Sequence, residues 1–145
     1  MLSIGTMSRK TGTNVQTIRY YEQIGLLPEP ERSQGGQRRY HETDIDRLAF
    51  IRHARQMGFP LQDIRELLVM ADDPQQSCKE VDTIARRQLV EVEQRLTNLN
   101  ALRKELKRMI VDCSGGRVAE CRILGGLGDH SECLTEHHNI GKIRP

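Results

Sequence analysis

TNVQTIRYYEQIGLLPEPERSQGGQRRY, residues 13–40, is the stretch on which the fold turns. Thr13 and Gln16 have the spacing of a capping box, which predicts a helix from there to about Gln23. Gly25 ends it, and Pro28 and Pro30 prevent its resumption. Upstream, Ile4 to Thr11 predicts a second short helix, separated from the first by Gly12. Two short helices around a glycine-bearing turn form a helix-turn-helix pattern, in which the second helix enters the DNA major groove. Gln16, Thr17, Arg19, Tyr20 and Tyr21 supply the donors, acceptors and rings that this would need. A plain helical hairpin is the competing reading. Residues 31–40, ERSQGGQRRY, predict a hairpin with its tight turn at Gly35-Gly36 and with Arg38 and Arg39 just after it. Alone it reads as a surface loop with solvated arginines; directly after a helix-turn-helix it reads as a wing that grips phosphates.

Outward from this stretch the chain is helical. Ile45, Leu48, Ala49, Arg52 and His53 keep helical spacing, with Asp44 and Asp46 in the first turn. Met57-Gly58-Phe59 breaks that helix. Pro60 sits at the start of the next, which lines up Leu61, Ile64, Leu67 and Leu68 on one face. Asp72-Asp73-Pro74 ends the pair. Ser77 to Asp112 contains neither Gly nor Pro, which predicts one helix about 50 Å long at 1.5 Å per residue. Ala85, Val92, Leu99 and Leu106 recur every seven residues, and Leu89, Leu96 and Ile110 share a second phase interrupted by Arg103. That is a coiled-coil seam. The expected organisation is a winged helix-turn-helix domain with its helix pair over 1–74, a dimerisation helix over 75–112, a loop and short helix over 113–128, and a flexible tail over 129–145. The fold class is mainly α.

The cysteines fall at 78, 113, 121 and 133. Cys78 and Cys113 extend the heptad seam at its two ends, seven residues before Ala85 and seven after Leu106. An antiparallel dimer of this helix sets Cys78 of one chain beside Cys113 of the other; a parallel dimer pairs Cys78 with its own copy. A small apolar residue also simply suits a seam. Cys113-Ser-Gly-Gly-Arg-Val-Ala-Glu-Cys121 brackets a loop whose glycines let the backbone fold back, so that two thiolates reach one ion. A disulfide across the loop is the rival reading. Thiolates favour copper(I), zinc, cadmium, mercury or lead over magnesium or calcium. His130, Cys133, His137 and His138 in the tail form a possible second metal site.

Composition limits the alternatives. In 145 residues the net charge is +2, 29% of side chains are charged and 3% are aromatic. That fits a soluble helical chain and not a β-sandwich. The longest apolar runs are as short as Leu67 to Ala71, against roughly 20 residues for a membrane span. No signal-peptide core begins the chain, so a cytoplasmic location is expected. There the cysteines stay reduced and favour metal or redox chemistry over stapling. Residues 1–40 carry six basic and three acidic side chains, whereas 41–77 carry four and seven, a local basic lead that suits a phosphate backbone. No CxxC, P-loop, dinucleotide or Ser/His/Asp signature points to an enzyme.

The segment Ile18-Arg-Tyr-Tyr-Glu22, Gly25-Leu-Leu-Pro28 and Arg38-Arg-Tyr40, followed by a helix pair, a long helix and a cysteine loop, resembles the MerR family of bacterial metal-responsive transcription regulators. The resemblance spans residues 1 to about 128. It implies a homodimer with antiparallel long helices, bound to a palindromic operator in a promoter with an over-long spacer. Metal binding then makes the dimer distort the double-stranded DNA so that RNA polymerase uses the promoter. The family's DNA-contacting positions match Thr17, Arg19, Tyr20, Arg38 and Tyr40.

The same resemblance subdivides by metal. Copper(I) and silver sensors carry Ser or Ala at the head of the dimer helix; divalent-ion sensors carry Cys there, as Cys78 does here. The implied ligands are Cys113 and Cys121 of one chain with Cys78 of the other, holding one cadmium, lead, mercury or zinc ion per site. The gap between Cys113 and Cys121 also resembles that of copper sensors, which keeps copper(I) as the alternative. Ser114 stands where the zinc sensors have a second adjacent cysteine, so cadmium, lead or mercury is favoured over a two-zinc site. A thiol redox sensor on the same scaffold is a further alternative, although its iron–sulfur members group four cysteines where this loop has two.

Overall fold

Ser3 opens the first helix. Its Oγ accepts the Thr6 N–H at 3.2 Å, which satisfies one of the unpaired donors at a helix start. In the computed structural model, which describes residues 1–112, 116–118 and 121–128, α1 spans Ile4–Thr11. It stops at Gly12, which has φ 67°, a left-handed conformation that favours glycine. A Cβ at Gly12 would also collide with the Arg52 guanidinium. The next helix, α2, spans Val15–Gln23. Its cap is Asn14, whose Oδ1 accepts the Thr17 N–H at 2.8 Å. The expected cap, Thr13, is instead drawn into the turn: it is buried, and its N–H meets Thr11 Oγ1 at 3.4 Å. Thr and Asn are both cap formers, so the burial of Thr13 decides between adjacent positions.

The wing is a hairpin of β1, Glu31–Arg32, and β2, Arg38–Arg39, with Glu31 opposite Arg39 and Arg32 opposite Arg38. Leu2 and Tyr40 exchange backbone bonds of 2.8 and 2.9 Å, which tie the chain start to the strand end. Helices α3, Glu42–Gln56, and α4, Leu61–Ala71, follow. Asp44 Oδ2 accepts the His41 N–H at 2.8 Å, and Pro60 caps α4. Met7 of α1, Ile18 of α2, Tyr40 of the wing, Leu48 and Ile51 of α3 and Ile64 of α4 are buried in one core. Each fully buried aliphatic side chain contributes about 1.5–3 kcal/mol.

Arginines complete this packing. Arg52 donates to the Thr11 carbonyl, Arg65 to the Ile24 carbonyl at 2.6 Å and Arg47 to the Leu26 carbonyl at 2.8 Å. Carbonyls at and just beyond the ends of α1 and α2 have no helical partner, and guanidinium groups from α3 and α4 satisfy them.

The chain divides into two units, Met1–Ile84 and Ala85–Pro145. The long helix α5 runs unbroken over Lys79–Asp112, 34 residues. Ser77 Oγ accepts the Lys79 N–H at 3.2 Å at its start. Leu89, Leu96, Leu99, Leu106 and Ile110 are exposed, so the seam is uncovered in the single chain. The short helix α6, Arg122–Gly128, presents Gly126 to Met109 so closely that a Cβ there would strike the methionine methyl. Met109 is buried. Among the described residues no helix is long and apolar enough to cross a membrane.

Candidate nucleic-acid interface and metal centre

Helix α2 buries Ile18 and Tyr21 and turns Gln16, Arg19 and Tyr20 outward. Thr17 is half-buried, with its N–H committed to Asn14. Tyr21 therefore belongs to the core and offers no ring to DNA; burial pushes its hydroxyl pKa up. The outward residues lie on the face that a recognition helix presents to base edges.

Glu22 joins this helix to the wing. Its carboxylate is 9% exposed. Arg38 Nε donates to Oε2 at 3.0 Å, and the Tyr40 hydroxyl donates to Oε1. Tyr40, expected at the DNA contact, is only 2% exposed. Its ring packs in the core, and its hydroxyl ties the wing to the recognition helix. Burial, then the bond to Glu22, then the negative charge of Glu22 drive its pKa well above the ordinary tyrosine value. Arg38 and Arg39 are half-buried on β2, with no further hydrogen bond on the Arg38 guanidinium among the described residues.

Ser3, Ile4, Arg19, Arg32, Gly36, Gln37 and Arg38 line one cavity of about 370 Å³. Arg19, Arg32 and Arg38 line it between the start of α1, the recognition helix and the wing, with Arg32 Nη1 donating to the Gly36 carbonyl at 2.8 Å, and a groove so charged suits an anion. Arg32 and Ser3 were missed from sequence. Counting outward from a turn at Gly35-Gly36 sets Arg32 opposite Arg39, whereas the observed register sets it opposite Arg38.

The expected metal ligands are distributed as follows. Cys78 is exposed, at the head of α5, and its carbonyl accepts the Asp82 N–H at 2.9 Å. Cys121 is half-buried at the head of α6, and its carbonyl accepts the Gly125 N–H at 3.0 Å. Cys113 lies outside the described residues, as do His130, Cys133, His137, His138 and the tail expected at 129–145. Among the described residues no three His, Cys, Asp or Glu side chains gather in a metal-binding group.

The sequence matches the family description "MerR HTH family regulatory protein" over residues 2–70 and "MerR, DNA binding" over 45–109. It is 41% identical over 130 residues to the HTH-type transcriptional regulator ZntR of Escherichia coli K12, covering 88% of this chain and 92% of that one.

The chain belongs to the MerR family.

Its fold is the MerR fold, and its place in the family is among the heavy-metal-responsive transcriptional regulators. A probable heavy metal-dependent transcriptional regulator of Haemophilus influenzae is 36% identical over 126 residues, 87% of this chain and 98% of its own. The transcription regulator PbrR691 of Ralstonia metallidurans, solved in complex with lead(II), matches with a TM-score of 0.73 and 40% identity, covering 88% of this chain and 99% of that one. MerR regulators bind promoter DNA through the helix-turn-helix, and the protein is a regulator and not an enzyme.

Proposed function

We propose that this MerR regulator is a cytoplasmic homodimeric sensor of a thiophilic divalent ion, lead, cadmium, mercury or zinc, that activates metal-resistance or efflux genes by distorting their promoter for RNA polymerase. The observation that carries the reading is the similarity to a lead(II)-bound regulator over nearly nine-tenths of the chain. Cys113 and Cys121 of one chain and Cys78 of the other are the proposed ligands. Three sulfur donors suit a soft divalent ion with a coordination number above two. When bound, the ion neutralises thiolate charge and links the two chains.

On the DNA side, Gln16, Thr17, Arg19 and Tyr20 read or flank base edges, while Arg38 and Arg39, with Arg32, hold phosphates. Two observations support this: the outward face of α2 and the three-arginine groove beside it. The uncovered seam of α5 supports the homodimer, since large exposed apolar stripes mark interaction surfaces.

The test is a metal panel in a transcription assay on the chain's own promoter, with Cys78→Ser alongside. The expected outcome is loss of the lead, cadmium or mercury response, with any two-coordinate copper(I) binding largely kept. An untouched divalent response, or induction by copper(I) alone, overturns the divalent trithiolate. The His130, Cys133, His137 and His138 set is proposed only as a second, separate site. Substituting all four is expected to leave induction intact.

A further inference from the structure

Glu22 is an acid on the recognition helix. DNA phosphates repel a carboxylate, so its presence there calls for a compensating role. The wing provides one. Its register sets Arg32 directly opposite Arg38, and like charges facing each other across a strand pair are destabilising. Glu22 is the carboxylate that meets Arg38, through Nε at 3.0 Å, and its second oxygen takes the buried Tyr40 hydroxyl. One side chain of α2 thus holds β2 at two points, 16 and 18 residues away in sequence. The bond to Glu22 engages Nε, so the two terminal nitrogens of Arg38 remain for the groove that Arg38 shares with Arg19 and Arg32.

We propose that Glu22 is a positioning residue for the DNA-backbone contact: it fixes the Arg38 guanidinium against the recognition helix so that its terminal nitrogens meet a phosphate. The proposal rests on the reading that Arg38 contacts phosphate. A helix-borne carboxylate sets the angle of the wing, and the two phosphate-binding elements then act as one rigid surface. Preorganised side chains lose less freedom on binding, and a charge-assisted bond holds such geometry better than a neutral one.

The experiment is a double-mutant cycle on the full-length protein, with a labelled duplex carrying its own promoter, titrated at several salt concentrations. Glu22→Gln keeps the shape and an acceptor for Tyr40 but removes the charge. It is expected to weaken DNA binding about fivefold and to flatten the salt dependence, by up to about 0.9 in log–log slope for each phosphate no longer neutralised. In an Arg38→Ala background the sign reverses. The carboxylate then has no Arg38 to hold and still repels phosphate, while glutamine keeps the acceptor for Tyr40, so adding Glu22→Gln is expected to strengthen binding. Equal weakening in both backgrounds overturns the proposal and leaves Glu22 a structural residue. No effect of Arg38→Ala itself overturns the phosphate contact, and the proposal with it. Arg38→Lys gives a second variant on a half-exposed position. It keeps the charge and removes the Nε bond to Glu22, so it is expected to weaken binding about as much as Glu22→Gln; unchanged affinity overturns the positioning role.

Discussion

Met1–Ile84 and Ala85–Pro145 treat apolar and charged side chains in opposite ways. In the first unit Met7, Ile18, Leu48, Ile51 and Ile64 show no exposed surface, and Arg47, Arg52 and Arg65 each hold a backbone carbonyl of another element. In the second, Val92 is 38% exposed, Leu99 41%, Leu89 and Leu96 each 54% and Ile110 62%, all along one helix. A small domain survives by covering its apolar groups, because net stability is a small difference between large terms. The first unit meets that requirement within one chain. The stripe on α5 has a period of seven, the pattern by which a helix addresses another helix. The contrast separates two tasks: the first unit carries the DNA-binding helix-turn-helix, and the uncovered stripe of the second supports the homodimer proposed above.

Leu99→Glu breaks this contrast most severely. It places a carboxylate on the seam, where dimerisation would bury it without a partner. The dimer is expected to weaken by more than about 3 kcal/mol, or over a hundredfold. Operator binding is lost with it, since each half-site needs its own recognition helix. Sedimentation of the variant should give a monomer with unchanged helicity in the first unit. An unmutated chain that is monomeric at micromolar concentration would remove the basis for reading the stripe as an interface.

The first unit was legible in sequence at the level of elements. Glycines at 12, 25 and 58 and Pro60 punctuated it, and the helices fell where that punctuation left room. The heptads of α5 were legible for the same reason: a period survives without knowledge of the partner. Side-chain destinations were not. Tyr20 and Tyr21 are neighbours in an aromatic pair, yet one faces out and the other in. Tyr40 follows two arginines and looked like part of the same contact, but the bridge to Leu2 turns it into the core. Arg52 keeps helical spacing with Ile45, Leu48 and Ala49, and nothing local announces that its target is Thr11, 41 residues upstream. These are long-range polar pairings, which sequence periodicity does not encode. For the metal site the sequence named three thiols, and the structure describes two of them.

Arg52→Met sharpens the comparison at intermediate size. The substitution keeps the aliphatic stem and deletes the donor to the Thr11 carbonyl at the end of α1. Removing a charged donor from a carbonyl with no helical partner costs about 1–2 kcal/mol. Lys107→Ala, on the exposed outer side of α5, is expected to fall within about 0.5 kcal/mol. Urea unfolding of both variants measures the difference. Equal effects would mean that the guanidinium clamps of the first unit add nothing beyond ordinary solvated charge.

Among the substitutions that delete a hydrogen bond of the first unit, Tyr40→Phe has the smaller expected effect on stability at neutral pH and the most specific signature. All three tyrosines, Tyr20, Tyr21 and Tyr40, fall in the first unit, so alkaline loss of tyrosine protons acts there and not on α5. Burial and the Glu22 carboxylate raise the Tyr40 pKa above that of an ordinary tyrosine. The folded state therefore holds this proton more tightly than the unfolded chain does, whose tyrosines titrate near pH 10. The resulting stability is fully present below about pH 10 and is lost as pH rises through that value toward the raised folded pKa. Removing the hydroxyl costs about 1 kcal/mol at pH 7, for one hydrogen bond. It also removes the share of alkaline sensitivity that Tyr40 carries, so the stability of Tyr40→Phe should fall less steeply than that of the unmutated chain above pH 10. Denaturant melts between pH 7 and 11 follow both quantities. Parallel curves for the two proteins would show that the Tyr40 proton is not held more tightly by folding, and the hydroxyl bond to Glu22 would then be no anchor for the wing.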